Sequence, residues 1–309
     1  SETHIHILGI CGSFMGGLAV IAKQAGFKVT GCDEGVYPPM SLQLESMGIG
    51  LVEGWGVDQL ALEPDLYVIG NVVSRGNPLM EEILDRNLPY TSGPQWLYQS
   101  VLATKWVLAV AGTHGKTTTT AMLATILDSA GLNPSFLVGG VPVDFGFSSR
   151  LTESNFFVIE ADEYDTAFFD KVPKFKHYHP KNAILTGIEF DHIDIYDSIA
   201  DVLKAFEILI DKIPKDGLLV YNGDDLNIAK LLEKKKPEFW KLSYGQSDGL
   251  HSRLLTEEIL EEGTRVVFQI GDREFDFVGN WFGTYNSLNF LSIMTVLDFN
   301  GLDLNKVME

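Results

Sequence analysis

The run AVAGTHGKTTTT (109–120) sets two glycines, a lysine and a row of hydroxyls directly behind an apolar stretch. It is a shortened phosphate-loop pattern, Gly112-x-x-Gly115-Lys116-Thr117, because the full G-x-x-x-x-G-K-[ST] form needs glycine where Val110 stands. The chemistry is coherent all the same. Glycines let backbone N–H groups close around phosphate oxygens at a helix start, Lys116 reaches terminal phosphates, and the Thr117 hydroxyl is an oxygen ligand for Mg²⁺. The plain alternative is a strand–helix turn with a solvated lysine. A strand before, a helix after and GKT in place favour phosphate.

Three further stretches carry chemistry. VIEADEYD (158–165) ends an apolar run with Glu160, Asp162, Glu163 and Asp165, hard oxygens that suit Mg²⁺ when phosphates and waters complete its shell. Alone it would read as a solvated acidic loop; its place after a strand of the same expected sheet tips the balance. EFDHID (189–194) offers His192 between Asp191 and Asp194. Histidine is not a usual Mg²⁺ ligand, so a hydrogen-bonded structural role stands equally open. GICGSFMGG (9–17), with Asp33 closing the next strand, resembles a dinucleotide turn without being G-x-G-x-x-G. A bound diphosphate would sit on that helix start, and Asp33 would take a ribose or sugar hydroxyl. A close-packed helix without ligand is the alternative.

These residues need sheets to hold them. HIHILGI (4–10), a helix ending at Gly26, and KVTGCD (28–33) form a βαβ unit; PDLYVIGN (64–71) reads as a strand, and NPLMEEILDRN and PQWLYQSVL as helices. A second strand–turn–helix starts at KWVLAVAG, with its helix running through about Ser129. FFVIEAD, NAILTGI and GLLVYNGDD then end in polar residues at the carboxyl edge of a parallel sheet, where ligands collect. TRVVFQIGDREFDFVG (264–279) reads as a hairpin before a helix from about Tyr285. The expected class is α/β: a Rossmann-like parallel-sheet domain over 1–103, then a P-loop-type central ATPase domain with a mostly parallel sheet over 104–309.

Composition narrows the partners. With 42 acidic against 23 basic residues and a net charge of −19, a nucleic-acid surface is not expected, so phosphate binding must be local. Cys11 and Cys32 are too few for a disulfide framework and read as small buried residues. There is neither a leader pattern nor an apolar run of membrane-spanning length, so no membrane is expected and the expected compartment is the cytoplasm. The oligomeric state is not set by the sequence.

Together, GTHGKTTT, the Glu160 strand, DH at 191–192 and YNSLN (285–289) resemble the ATP-dependent Mur ligases of bacterial cell-wall synthesis, over essentially the whole chain. The stretches LGICGSFMGGLA, VYPPMS, SRGNP, SGPQWL, GGVP and FFVIEADEYDTAFFDKVPKFKHY are similar to the member of that family that uses a recycled tripeptide. The resemblance implies a reaction. ATP phosphorylates the lactyl carboxylate of UDP-N-acetylmuramic acid, and the murein tripeptide L-alanyl-γ-D-glutamyl-meso-diaminopimelate attacks through its amine to give an amide, ADP and phosphate.

It also implies roles. Lys116, Glu160 and His192 are the catalytic set, with Thr117 and Glu160 holding Mg²⁺ and His192 holding a second Mg²⁺. Gly112, Thr113, His114, Gly115, Lys116, Thr117 and Thr118 hold ATP phosphates, and Asn286 and Asn289 contact adenine. Gly12, Asp33, Asn71 and Arg75 are the candidates for the UDP-sugar. The family usually has histidine where Tyr285 stands. Its third, C-terminal domain is not expected in this chain, so the expectation is nucleotide or UDP-sugar binding without ligation. The rival readings are a ligase adding L-alanine to the same sugar, a non-catalytic nucleotide-binding module, and an NAD-dependent enzyme resting on the first glycine turn alone.

Overall fold

The computed structural model describes residues 2–139, 149–190 and 198–309. In chain order the first elements are β1 (His4–Leu8), α1 (Ser13–Gln24), β2 (Lys28–Asp33), α2 (Met40–Ser46), β3 (Gly50–Glu53), β4 (Leu66–Ile69), α3 (Pro78–Asp85), β5 (Tyr90–Ser92) and α4 (Gly93–Ser100). There follow β6 (Trp106–Ala111), α5 (Lys116–Ser129), β7 (Ser135–Leu137), β8 (Ser149–Arg150), β9 (Phe156–Glu160), β10 (Asp165–Ala167), β11 (Asp170–Pro173) and β12 (Asn182–Leu185). The last are α6 (Ile199–Lys212), β13 (Leu218–Asn222), α7 (Leu226–Lys235), β14 (Trp240–Gly245), β15 (Ser252–Ile259), β16 (Thr264–Ile270), β17 (Arg273–Gly279), α8 (Thr284–Phe299) and α9 (Leu304–Val307).

The chain folds as two units. The first comprises Ser1–Lys105, Ser135–Asn155 and Tyr164–Tyr178; the second comprises Trp106–Pro134, Phe156–Glu163 and His179–Glu309. Two segments beyond residue 103 therefore belong with the first unit. The α/β class and its parallel sheets are as the sequence leads one to expect.

The first unit is built on a parallel sheet in the order β3-β2-β1-β4-β5. The connections run outward in opposite directions from β1 and β4, which opens a crevice beyond their carboxyl ends. The turns after β1 and β4 lie there. β1 is buried throughout, as a central parallel strand must be.

Two histidines on β1 are held by a directional hydrogen-bond chain. The Gln59 amide nitrogen donates to Gly54 O and Gly56 O, each at 3.1 Å, so its oxygen faces His6 Nε2 at 2.8 Å and accepts. His6 Nδ1 must then accept from the Thr30 hydroxyl at 2.7 Å, and Thr30 Oγ1 in turn accepts from His4 Nε2 at 2.7 Å. Burial pushes both imidazoles below their usual 6.5, so the folded state favours the neutral rings. Their contribution is fully present above about pH 6.5 and is lost as the pH falls through that value toward the lowered folded-state pKa. The urea midpoint should therefore drop between pH 7 and 5. A His6→Gln variant should show a shallower drop; an equal slope would remove His6 from the account.

In the second unit the strand order is β17-β16-β15-β14-β13-β12-β6-β9. Pairing is parallel from β9 through β15, and β15–β17 form the antiparallel end that the Gly271-Asp272 turn announces. β6 lies between β9 and β12, so α5 leads to one side of it and the later chain returns to the other. That switch point puts the 112–115 turn at the carboxyl edge of the sheet.

Candidate active site

The turn from β6 into α5 is set by two glycines for different reasons. Gly115 caps α5 at φ 78°, ψ 4°, with open space around it, so only the left-handed backbone calls for glycine. Gly112 has φ +139°, and a Cβ there would come within 2.1 Å of Thr186 Oγ1. The chain after β12 grips this turn closely. Thr113 N donates to Gly187 O at 3.0 Å, Glu189 N donates to Thr113 Oγ1 at 2.9 Å, and Thr186 Oγ1 donates to His114 O at 2.8 Å. The loop is thereby fixed with the first amides of α5 presented at the helix N-terminus, the arrangement that binds anions.

Lys116 and Thr117 reach the acidic end of β9. Lys116 Nζ lies 2.8 Å from Glu163 Oε2, both side chains being about nine-tenths buried (11% and 9% exposed). The Thr117 hydroxyl donates to Glu160 Oε1 at 2.9 Å. A hydroxyl and a carboxylate oxygen thus converge beside the lysine, a donor pair suited to Mg²⁺, which takes one or two protein ligands and keeps phosphate oxygens and waters. Among the described residues no group of three or more His, Cys, Asp or Glu gathers as a metal site. His192 lies outside the described residues. Thr119 and Thr120 are fully buried, and Thr120 Oγ1 donates to Lys116 O at 2.6 Å; this end of the hydroxyl row is core rather than ligand.

A cavity of about 460 Å³ opens beside the turn. Thr113, His114, Gly115 and Thr118 line one side, and Asn286 and Asn289 of α8 another. The structure thus brings four of the seven expected phosphate residues and both expected adenine residues to one space, while Gly112, Lys116 and Thr117 are not in its lining. Tyr285, 84% exposed, also borders it. His114 Nε2 pairs with Glu189 Oε2 at 3.4 Å. Asp225, unassigned from the sequence, caps α7 by accepting from Asn227 N and Ile228 N, and its second oxygen accepts from Ile188 N at 2.9 Å. It ties α7 to the segment that grips the turn. Its signal was the polar end of GLLVYNGDD; Thr186 had none beyond its place at a strand end.

The first unit has its own cavity, of about 300 Å³, at the crevice beyond β1 and β4. Gly12, Asp33 and Asn71 all line it. Arg75 is elsewhere, forked onto Glu81 through Nε at 3.0 Å and Nη2 at 3.2 Å on the surface. Asp33 fastens the turn, accepting from Cys11 N at 2.9 Å and Glu34 N at 2.8 Å. Burial raises the Cys32 thiol to about 12, in keeping with a small core residue.

Two family profiles match this arrangement in sequence. Residues 4–104 match the Mur ligase family catalytic domain, and residues 110–297, more than half of the chain, match the Mur ligase middle domain.

The chain belongs to the Mur ligase family.

Among Mur ligases, the UDP-N-acetylmuramate–L-alanyl-γ-D-glutamyl-meso-2,6-diaminoheptandioate ligase of Escherichia coli K12 is 48% identical over 279 residues, covering 89% of this chain and 60% of that protein. The crystal structure of the UDP-N-acetylmuramate:L-alanyl-γ-D-glutamyl-meso-diaminopimelate ligase from Neisseria meningitides superposes with a TM-score of 0.93 at 44% identity, covering 100% of this chain and 97% of that one. The UDP-N-acetylmuramate–L-alanine ligase of Syntrophomonas wolfei is 33% identical, covering 98% of this chain and 64% of its own. The chain therefore spans about three-fifths of the length of these curated Mur ligases.

Proposed function

We propose that this protein is an ATP-dependent ligase that joins UDP-N-acetylmuramate to the tripeptide L-alanyl-γ-D-glutamyl-meso-diaminopimelate in peptidoglycan recycling. The observation that carries the reading is the 48% identity to the E. coli enzyme of that name, against 33% to the ligase named for L-alanine. Site geometry supports the ATP half. The 112–115 turn and the α5 amides would hold the phosphates, Lys116 would exchange Glu163 for a phosphate oxygen, and Asn286 and Asn289 would face the adenine. Thr117 and Glu160 would hold Mg²⁺, which when bound neutralises charge on a transferring phosphoryl group. His192 would hold a second Mg²⁺, as the resemblance implies. In the first unit, Gly12, Asp33 and Asn71 would border the UDP-sugar. Arg75, held by Glu81, would need to leave that pairing to take part.

The test supplies ATP, UDP-N-acetylmuramate and either the tripeptide or L-alanine to the protein at the full length of its relatives. Tripeptide-dependent release of ADP with formation of the amide is expected; a preference for L-alanine transfers the assignment to the other ligase. A companion measurement follows from the donor pair. Glu160→Gln should raise the Mg²⁺ concentration for half-maximal ADP release by about tenfold or more, and an unchanged Mg²⁺ dependence would remove Glu160 from the metal.

A further inference from the structure

One basic side chain lines the first unit's cavity from a distant part of the sequence. Lys174 is 93% buried, at 7% exposure, and borders the same space as Gly12, Phe14 and Asp33. Its Nζ lies 4.6 Å from the centroid of the Phe14 ring, in the first turn of α1. Burying a lysine is costly unless its charge is offset, and the aromatic face supplies part of that offset.

The segment presenting Lys174 is firmly seated within this unit. β10 and β11 pair antiparallel, and Thr166 Oγ1 donates to Val172 O at 2.9 Å. Phe168 packs on the cluster formed by Leu8, Cys32, Tyr67 and Ile69, while Phe169 meets Tyr90 edge-on at 5.0 Å. Lys174 N donates to Tyr164 O at 3.2 Å, and His177 Nε2 lies 2.6 Å from Asp170 Oδ2. The lysine is therefore placed by packing rather than by a swinging loop.

Two sources of positive potential meet at this cavity. α1 begins at Gly12 with no side-chain cap, so its first amides are presented there, and Lys174 stands beside the same turn. Asp33, the other charged group of this lining among the described residues, has each carboxylate oxygen engaged by a backbone amide. We propose that Lys174 is a binding residue for the diphosphate of the uridine-diphosphate sugar, gripping it together with the amides of the β1–α1 turn. This rests on the substrate reading above and adds a contact that no glycine pattern supplies.

The test is calorimetric titration of the 309-residue chain and its Lys174→Met and Lys174→Arg variants with UDP, uridine and inorganic pyrophosphate. Lys174→Met should weaken UDP and pyrophosphate about tenfold or more while leaving uridine unchanged, and Lys174→Arg should keep most of the affinity. Equal UDP affinity in folded Lys174→Met overturns the proposal, as does an equal loss for UDP and uridine, which would make Lys174 a wall of the cavity. Should the methionine variant not fold, Lys174→Gln carries the same comparison. Lys174-dependent pyrophosphate binding with nothing gained from the uridine would keep the anion site and overturn the nucleotide-sugar reading. Tight UDP binding indifferent to Lys174 would do the reverse.

Discussion

Lys116→Met should cut ATP-dependent amide formation by about 10²- to 10³-fold, the usual loss when one preorganised charge-stabilising donor is removed. It should also destabilise the fold. Lys116 and Glu163 are 2.8 Å apart and both nearly buried, and removing one partner of such a pair costs about 3–5 kcal/mol. The two effects can be separated with Lys116→Met/Glu163→Gln, which replaces the buried ion pair by neutral groups. Thermal unfolding of the double variant should return toward that of the wild type while activity stays lost. Recovery of activity in the double variant would show that Lys116 serves the fold and not the phosphates.

Gly112→Ala is expected to be the most damaging single change in the turn. It meets two obstacles at once, φ of +139° and a Cβ only 2.1 Å from Thr186 Oγ1. The backbone obstacle alone costs about 1–3 kcal/mol, and relief of the clash must move the hydroxyl that holds His114 O. ATP affinity should fall about tenfold or more, since a misplacement of about 1 Å suffices for large losses in a preorganised site. Gly115→Ala is the control. It has φ +78° in open space, so it should cost stability with a smaller effect on affinity. Nucleotide titration and urea unfolding of both variants check the order, and equal losses would show that the Thr186 contact does not matter.

Legibility from the sequence followed the distance between cooperating groups. The turn at 112–117 was plain because its glycines, lysine and hydroxyl are contiguous and lie between an apolar strand and a helix. Thr117 and Glu160 could be paired across 43 positions because Thr117 opens the helix that follows β6 and Glu160 ends β9, and the two strands join one sheet. No such rule reaches Thr186, whose hydroxyl matters through the His114 carbonyl and the absent Cβ of Gly112. Lys174 was hidden in a different way: a lysine in the basic stretch KFKH reads as a solvated surface, yet it is buried beside Phe14. Arg75 shows the converse, since an arginine in a suggestive motif is engaged by Glu81 six residues on.

The two units are interleaved along the chain, which passes from one to the other at 105–106, 134–135, 155–156, 163–164 and 178–179. Neither can be lifted out as a cassette. A gene fragment stopping near residue 104 would encode the five-stranded sheet yet omit the hairpin whose Phe168 covers part of its core. Such a piece would expose apolar surface and would be prone to aggregate. Swapping first units between relatives thus calls for several coordinated splices, and recombination at a single crossover would tend to yield chimeras that fail before their activity can be assayed.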